Sequence, residues 1–197
     1  MNEKEQSSNG KAAVFLDRDG TINEQMGYIN HTCRFKMLPG AAEAIKKLNE
    51  AGLPVVVVSN QSGLARGYFP EELLIAVNDK MNKLLAKTGA HVDGIYYCPH
   101  HPEAKEERYR TVCNCRKPKP GLVLQASKEM GLDPKKSYIV GDRWSDIKTA
   151  ANCGATSILV RTGYGRGDEK YIGPKQEIQP AFKAEDLMEA VLWILNQ

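Results

Sequence analysis

At 197 residues the chain has the length of one ordinary domain, enough to bury a substantial core by itself. Hydrophobic residues make up 42% and charged residues 26%, and the net charge of +3 is too mild to argue for a nucleic-acid or membrane-surface partner. No apolar run of about 18 residues is present, so no transmembrane helix is expected.

The polar start, MNEKEQSSNGK, lacks an apolar segment and reads as a disordered tail over residues 1–11, not a signal peptide. One domain is expected from 12 to 197, with the cytoplasm as the default location. Residues 12–16 read as a short buried strand that runs straight into Asp17 and Asp19, followed by Gly20 and Thr21. Residues 22–38 form an irregular segment, too short for a separate domain. Pro39 and Gly40 open a helix with Ala41, Ala44, Ile45 and Leu48 at helical spacing, closed by Gly52. Residues 55–58 are a continuous β-branched run, as in strands buried on both faces, and end at Ser59 and Asn60. A loop over 61–67 follows, and Pro70, Glu71 and Glu72 start a long helix with Leu74, Val77, Met81, Leu84 and Leu85 on one face. Residues 95–97 are a third strand, and a loop leads from Cys98 to Lys117. A helix is expected over 118–130, a fourth strand over 138–140 ending at Gly141 and Asp142, and a short helix over 146–153. A fifth strand over 157–160, a loop over 161–183 and an amphipathic helix over 185–195 complete the chain.

Strands alternating with helices predict an α/β fold, a doubly wound, Rossmann-like parallel sheet with helices on both faces and no large cap domain. In such sheets the binding site lies beyond the carboxyl ends of the strands. Asp17, Ser59, Asn60 and Asp142 each stand where a hydrophobic strand stops, so all four are expected to meet in one cleft. Side chains alternate along extended backbone, which points Asp17 and Asp19 the same way and turns Arg18 aside. Two carboxylates so close are comfortable only if they share a cation or one is partly protonated. Mg²⁺ suits such a pair, because it takes few protein carboxylates and keeps room for water and phosphate oxygens. Gly20 allows a tight turn, and its N–H and that of Asp19 are expected to reach an anion. The simpler alternative is a solvated Asp-Arg-Asp-Gly turn. With a hydroxyl, a lysine and a third acid beside them, the aspartates suit phosphoryl transfer, where catalysis is mostly positioning and charge neutralisation.

Five Cys is an odd number, and three of them fall within residues 98–115, which fits metal binding in a reducing compartment better than a disulfide framework. The runs CPHHP and CNC pair Cys98 with His100 and Cys113 with Cys115. Two tight pairs closing one loop are what a four-coordinate structural Zn²⁺ needs. His101 is expected to point the other way. Three reduced thiols in a loop are the alternative, a liability at such crowding. Cys33 and Cys153 have no partner in sequence and are expected to be buried small hydrophobes.

DxDGT after a hydrophobic strand, Ser59 at a strand end, Lys117 in RKPKPG before a helix, and GDRWSD at 141–146 resemble, in order, the four motifs of the haloacid dehalogenase superfamily of phosphotransferases. The resemblance implies that Asp17 attacks phosphorus and forms an aspartyl-phosphate. Asp19 then protonates the leaving alcohol and takes a proton from the hydrolytic water. Ser59 Oγ and Lys117 Nζ hold the phosphoryl oxygens, and Mg²⁺ is held by Asp17, Asp142 and the backbone carbonyl of Asp19. The superfamily often has Thr at the Ser59 position, and either hydroxyl donates. Taken singly, Lys117 also reads as a surface charge at a helix entry. Asp146 either reaches the metal or stands behind it at a helix N-terminus.

Over most of its length the chain is similar to the capless, zinc-containing phosphatases of that superfamily, the heptose bisphosphate and histidinol phosphate branches. The shared runs are FLDRDGTIN, GYI at 27–29, NQSGLARG at 60–67, DGIYYCPHHP at 93–102, CNCRKP and VRTGYG. Relatives acting on histidinol phosphate usually carry an acidic residue where this chain has Ser62 and lack the Ala-Arg-Gly that follows. The resemblance therefore implies D-glycero-D-manno-heptose 1,7-bisphosphate as substrate, losing its C7 phosphate in nucleotide-activated heptose biosynthesis. It places substrate contacts at Gln25, Met26, Gly27, Tyr28, Ser59, Asn60, Gln61, Ser62, Arg116, Lys117 and Arg143, where relatives often have Lys at the last position. Because guanidinium forks bind phosphate bidentately, Arg116 and Arg143 are expected to hold a second phosphate; solvated surface charges are the alternative. Histidinol-phosphate hydrolysis, nucleic-acid 3′-phosphate removal and a non-enzymatic phospho-acceptor domain are the other readings. A nucleic-acid enzyme would need a basic groove with aromatic stacking, and neither appears as a run. The expected partner is thus a small sugar bisphosphate bound by a monomer.

Overall fold

The computed structural model describes residues 10–197; of the tail expected over residues 1–11, residues 1–9 lie outside them. Lys11, expected in that tail, donates its N–H to Gly131 O (3.1 Å) and bridges Leu132. Six parallel strands follow: β1 (Val14–Leu16), β2 (Val55–Asn60), β3 (Gly94–Cys98), β4 (Tyr138–Gly141), β5 (Thr156–Val160) and β6 (Phe182–Ala184). Their order in the sheet is β3-β2-β1-β4-β5-β6. The helices are α1 (Ala41–Glu50), α2 (Glu71–Ala86), α3 (Gly121–Met130), α4 (Trp144–Cys153), the short α5 (Gly165–Gly167) and α6 (Leu187–Ile194).

The period-2 geometry of the strands divides the core in two. Val14, Leu16, Val55, Val57, Val140, Ile158 and Val160 face α1, α2 and α6. Ala13, Phe15, Val56, Val58 and Ile139 face the other layer, where α3 supplies Leu122, Val123 and Ala126 and α4 supplies Ala150. Val55, Val56, Val57 and Val58 are all fully buried, each worth about 1.5–3 kcal/mol of burial, so β2 is anchored on both faces. The chain winds outward from β1 to β3, returns to β4 beside β1, and winds out the other way. That reversal between β1 and β4 opens a crevice at the carboxyl ends of the strands, where Asp17, Ser59 and Asp142 emerge.

Strands β2 to β5 run one or two residues beyond their expected ends, so that Ser59 and Asn60 are the last residues of β2, and four stretches differ further from the sequence expectation. Pro118, Lys119 and Pro120 make a turn, and α3 begins only at Gly121. Helix α4 begins two residues early, at Trp144, which sets Asp146 in its first turn. Residues 161–183 are not plain loop: α5 runs into a π-helical turn (Asp168–Ile172) and a 3-10 turn (Gly173–Lys175), and the chain then adds β6. Helix α6 starts at Leu187, where the Asp186 carboxylate accepts the Glu189 N–H (2.9 Å) as an N-cap. Among the described residues no helix is long and apolar enough to cross a membrane.

Candidate active site

Strand β1 ends at Leu16, and the Asp17 N–H still donates to Val140 O (2.9 Å), which fixes the Asp17 side chain over the crevice. The lysine 100 positions later comes to it: Lys117 Nζ lies 2.8 Å from Asp17 Oδ1, 2.6 Å from Asp146 Oδ1 and 2.8 Å from Val58 O. Lys117 is only 5% exposed, which rules out a surface charge. Burial works against its ammonium, but Asp146 and Asp17 outweigh that and raise its pKa. Asn60 positions it through the backbone, its amide bonding both the N–H (3.1 Å) and the carbonyl (3.2 Å) of Lys117. Ser59, at the end of β2, is buried, and its Oγ accepts from Gln61 Nε2 (2.9 Å). A hydroxyl that accepts there keeps its own O–H for an incoming oxyanion.

Asp17, Asp142 and Asp146 each offer a carboxylate oxygen within 4.8 Å of the others. Gly20 and Gly141 allow this crowding. Gly20 has φ +95, and a Cβ there would collide with the Asp142 carboxylate; one at Gly141 would strike Asp146. Asp142 Oδ2 accepts the Tyr164 N–H (2.8 Å), while its Oδ1 is buried with no partner. Burial raises Asp17 to about 6, against the pull of Lys117 and with a further push from Asp146. Burial and the Asp17 and Asp146 carboxylates raise Asp142 to about 8. Like charges gathered around an unsatisfied carboxylate oxygen fit a hard divalent cation with oxygen ligands. Asp146 is partly committed elsewhere, since besides Lys117 it accepts the Arg143 N–H (3.1 Å) across the first turn of α4.

These shifts have a testable consequence. Both folded values lie above the ordinary carboxylate value of 3.8, so between that pH and about 8 these two groups bind more protons in the folded state than in the unfolded state. Their contribution to the stability of the metal-free protein therefore falls as pH rises through that window. A bound cation offsets the repulsion, so the Mg²⁺-induced rise in Tm is expected to grow from about pH 5 to about pH 8. Thermal melts with and without Mg²⁺ check this; a rise independent of pH would place the metal away from these carboxylates.

Asp19 sits differently from its expected environment. Arg18 does not turn away: its guanidinium folds round so that Nη2 reaches both Asp19 oxygens (2.8 and 3.1 Å), while Nη1 donates to Asn78 Oδ1 on α2 (2.9 Å). Asn23 and Gln61 also donate to Asp19 (3.0 and 2.7 Å). Burial alone would raise Asp19, but Arg18 and these amides outweigh it and hold the carboxyl below its ordinary range. The Gly20 N–H is spent on Asn23 O (2.7 Å) and is not aimed at an anion as expected.

The cleft has a volume of about 300 Å³, and its walls include Asp17, Asp19, Gln25, Gly27, Tyr28, Ser59, Asn60, Ser62, Arg116, Lys117, Asp142 and Arg143. Two residues expected as substrate contacts do not line it: Met26 packs against the core, and Gln61 is buried behind Asp19 and Ser59. Three that sequence reasoning missed do line it, namely Arg66, Ser145 and Tyr164. Arg143 Cζ lies 4.6 Å above the Tyr164 ring, with Nε 3.8 Å from Asp168 Oδ2. Tyr164 stands in the shared run VRTGYG, the signal that could have found it, but its place in the cleft depends on the turn after β5.

Beside Lys117, the Sγ atoms of Cys98, Cys113 and Cys115 lie 3.0–3.5 Å apart, and His100 Nδ1 is 3.3 Å from Cys115 Sγ and 3.8 Å from Cys98 Sγ. All three thiols are free. A tetrahedron with Zn–S arms of about 2.3 Å has edges of roughly 3.8 Å, so the four donors fit a tetrahedral ion. His101 points away, its Nδ1 accepting the Glu103 N–H (3.1 Å). Cys33, expected to be buried, is exposed on a surface 3-10 turn (Thr32–Arg34), and Cys153 is half-buried.

The HAD-hydrolase-like family profile matches residues 114–190. The chain is 47% identical over 156 residues to the D-glycero-beta-D-manno-heptose-1,7-bisphosphate 7-phosphatase of Photorhabdus laumondii, covering 78% of this chain and 82% of that protein. It is 42% identical over 186 residues to the protein of the same name from Escherichia coli, covering 93% and 88%. It also resembles the crystal structure of D,D-heptose 1,7-bisphosphate phosphatase from B. bronchiseptica complexed with magnesium and phosphate, with a TM-score of 0.83, 34% identity, and coverage of 94% of this chain and 98% of that one. With a carboxylate and a buried lysine at the sheet's switch point and relatives of this identity along most of its length, the chain belongs to the D-glycero-β-D-manno-heptose-1,7-bisphosphate 7-phosphatase family, phosphoric monoester hydrolases of the haloacid dehalogenase superfamily.

Proposed function

We propose that this chain removes the C7 phosphate of D-glycero-β-D-manno-heptose 1,7-bisphosphate, in nucleotide-activated heptose biosynthesis, through an aspartyl-phosphate on Asp17. The observation that carries the reading is the pairing of buried Asp17 and Lys117 in a cleft that holds further guanidinium groups from Arg116 and Arg143. One phosphate needs the first set, and a second phosphate gives the other cations a purpose. Asp17 and Asp142, with the Asp19 carbonyl, are the proposed ligands of Mg²⁺, which when bound neutralises charge on the phosphoryl oxygens.

Lys117 Nζ and the Ser59 hydroxyl hold two phosphoryl oxygens while an Asp17 oxygen attacks phosphorus opposite the C7 oxygen. Asp19 starts as an anion paired with Arg18. The entering dianionic phosphoryl group opposes that charge, which favours a proton on Asp19. That proton passes to the departing C7 oxygen, and the freed Asp19 carboxylate then takes a proton from the water that attacks the aspartyl-phosphate. Phosphate leaves and Asp17 is regenerated. The Cys98, His100, Cys113 and Cys115 cluster is the proposed Zn²⁺ site, and it supports the loop that presents Arg116 and Lys117. Its thiols suit the reducing cytoplasm.

Phosphate release from a panel holding the heptose bisphosphate, histidinol phosphate and a 3′-phosphorylated oligonucleotide tests the substrate reading, with the bisphosphate expected to be fastest. Arg143→Ala is expected to lower the bisphosphate-to-monophosphate ratio of kcat/KM about ten- to a hundredfold, as loss of a charge-assisted contact of about 1.5–3 kcal/mol requires. Equal slowing of both substrates would remove the distal-phosphate role. For the loop, purified protein is expected to carry about one Zn²⁺ per chain, and Cys113→Ser to lower both zinc content and Tm. Elemental analysis finding no zinc after metal-replete expression would refute that site.

A further inference from the structure

Arg66 has no part in the chemistry above, yet its placement is that of a ligand-binding group. It lies on the loop after β2, whose backbone is pinned from below by buried Leu64 against Phe69 and Leu74 and from above by the Glu106 N–H on Ala65 O (3.1 Å). Its side chain lines the same cleft as Arg116, which donates Nη1 to His100 O (3.3 Å). Arg66 Nη2 meets the residue after His100 in the loop that follows β3, His101, at Nε2 (3.0 Å). The two guanidinium groups thus flank the His100 and His101 pair at the cleft wall.

The resting position of Arg66 is poorly satisfied. His101 Nδ1 already faces the Glu103 N–H (3.1 Å) while its Nε2 faces Arg66, and an imidazole cannot accept at both nitrogens in either protonation state. Arg66 Nε is buried with no partner at all, a state that costs free energy for a donor withheld from water. A guanidinium pinned at its backbone but unsatisfied at its head, on the wall of an anion cleft, is poised to move to an anion.

We propose that Arg66 is a specificity-determining residue: with a doubly phosphorylated substrate in the cleft, its guanidinium leaves His101 and takes the distal phosphate together with Arg116. The assignment rests on the sugar-bisphosphate reading of the site. The planar fork of Arg suits a phosphate edge, where Lys would supply only a point charge, and the swing exchanges a frustrated contact for charge-assisted ones.

The test is the ratio of kcat/KM on the heptose 1,7-bisphosphate to that on heptose 7-phosphate, for wild type, Arg66→Ala and Arg66→Lys. A wild-type ratio near one would overturn the bisphosphate reading, and this assignment with it. With a high wild-type ratio, Arg66→Ala is expected to lower it about tenfold or more, chiefly through KM for the bisphosphate, and Arg66→Lys to restore only part. A ratio within twofold of wild type in Arg66→Ala would overturn the role of Arg66 while leaving the phosphatase reading intact. Zinc content and Tm close to wild type are expected for both variants. Should Arg66→Ala not fold, Arg66→Gln keeps the aliphatic stem and is read by the same ratio.

Discussion

Asp17→Asn is expected to abolish phosphate release, by about 10⁴-fold or more, in a protein that remains folded. The amide keeps the shape of the carboxyl and an oxygen that accepts from Lys117 Nζ, now 2.8 Å away, but it has no anionic oxygen to attack phosphorus. A loss of 10⁴ is about 5 kcal/mol of transition-state stabilisation, more than any positioning contact in the cleft supplies. Stability should move little or rise in the metal-free protein, because burial already makes the Asp17 charge unfavourable, with a pKa pushed up to about 6. A phosphate-release assay beside a thermal melt checks both halves. Activity above about 1% of wild type would show that another group attacks phosphorus.

Lys117→Met is expected to damage both function and fold. The substitution keeps an apolar stem and removes an ammonium that sits 2.8 Å from Asp17 and 2.6 Å from Asp146, with Lys117 only 5% exposed. Breaking a buried pair by deleting one partner costs about 3–5 kcal/mol, because the remaining charge is left uncompensated. At this chain length that is roughly 6–20 °C in Tm. Activity should fall by about a thousandfold, with one phosphoryl-binding cation gone. Two further measurements separate charge from packing. Mg²⁺ should recover part of the lost Tm, because it neutralises the same carboxylates, and Asp146→Asn added to Lys117→Met should recover part as well. A Tm within about 2 °C of wild type in Lys117→Met would mean that the lysine is not compensating buried charge.

The elements that place the chemistry could be read from local pattern. The run of four valines in β2 could only be a strand buried on both faces, and a parallel sheet sends every such strand end to the same edge. Asp17, Ser59 and Asp142 were legible for that reason: each is the first polar residue after an apolar run, and the backbone alone carries it to the crevice. The gathering of Cys98, His100, Cys113 and Cys115 was legible because a two-residue spacing puts both donors of each pair on one turn. Strand β6 was not, since Phe182, Lys183 and Ala184 are too few to show a period, and they become a strand only by pairing with β5.

Long side chains follow distant partners instead of local period, and there the tertiary structure decided. Alternation turned Arg18 away from Asp19, yet Asn78, 60 residues on, draws its guanidinium back beside Asp19, whose carboxyl it holds below the ordinary range. Gln61 and Met26 stand in segments that touch the cleft, but one is turned inward by Asp19 and Ser59 and the other by the core. Asp146 reads in sequence either as a metal ligand or as a helix-terminal residue; the structure adds a third tie, Lys117 Nζ at 2.6 Å, that no local pattern signals. The sequence by itself determined the sheet, its cleft edge and the clustering of Cys and His donors in one loop, because apolar periodicity and short-range spacing act through the backbone. Only the tertiary structure determined which charges pair, which amides face the cleft and where Arg66 rests, because those choices minimise buried unpaired polarity among groups that meet only after folding.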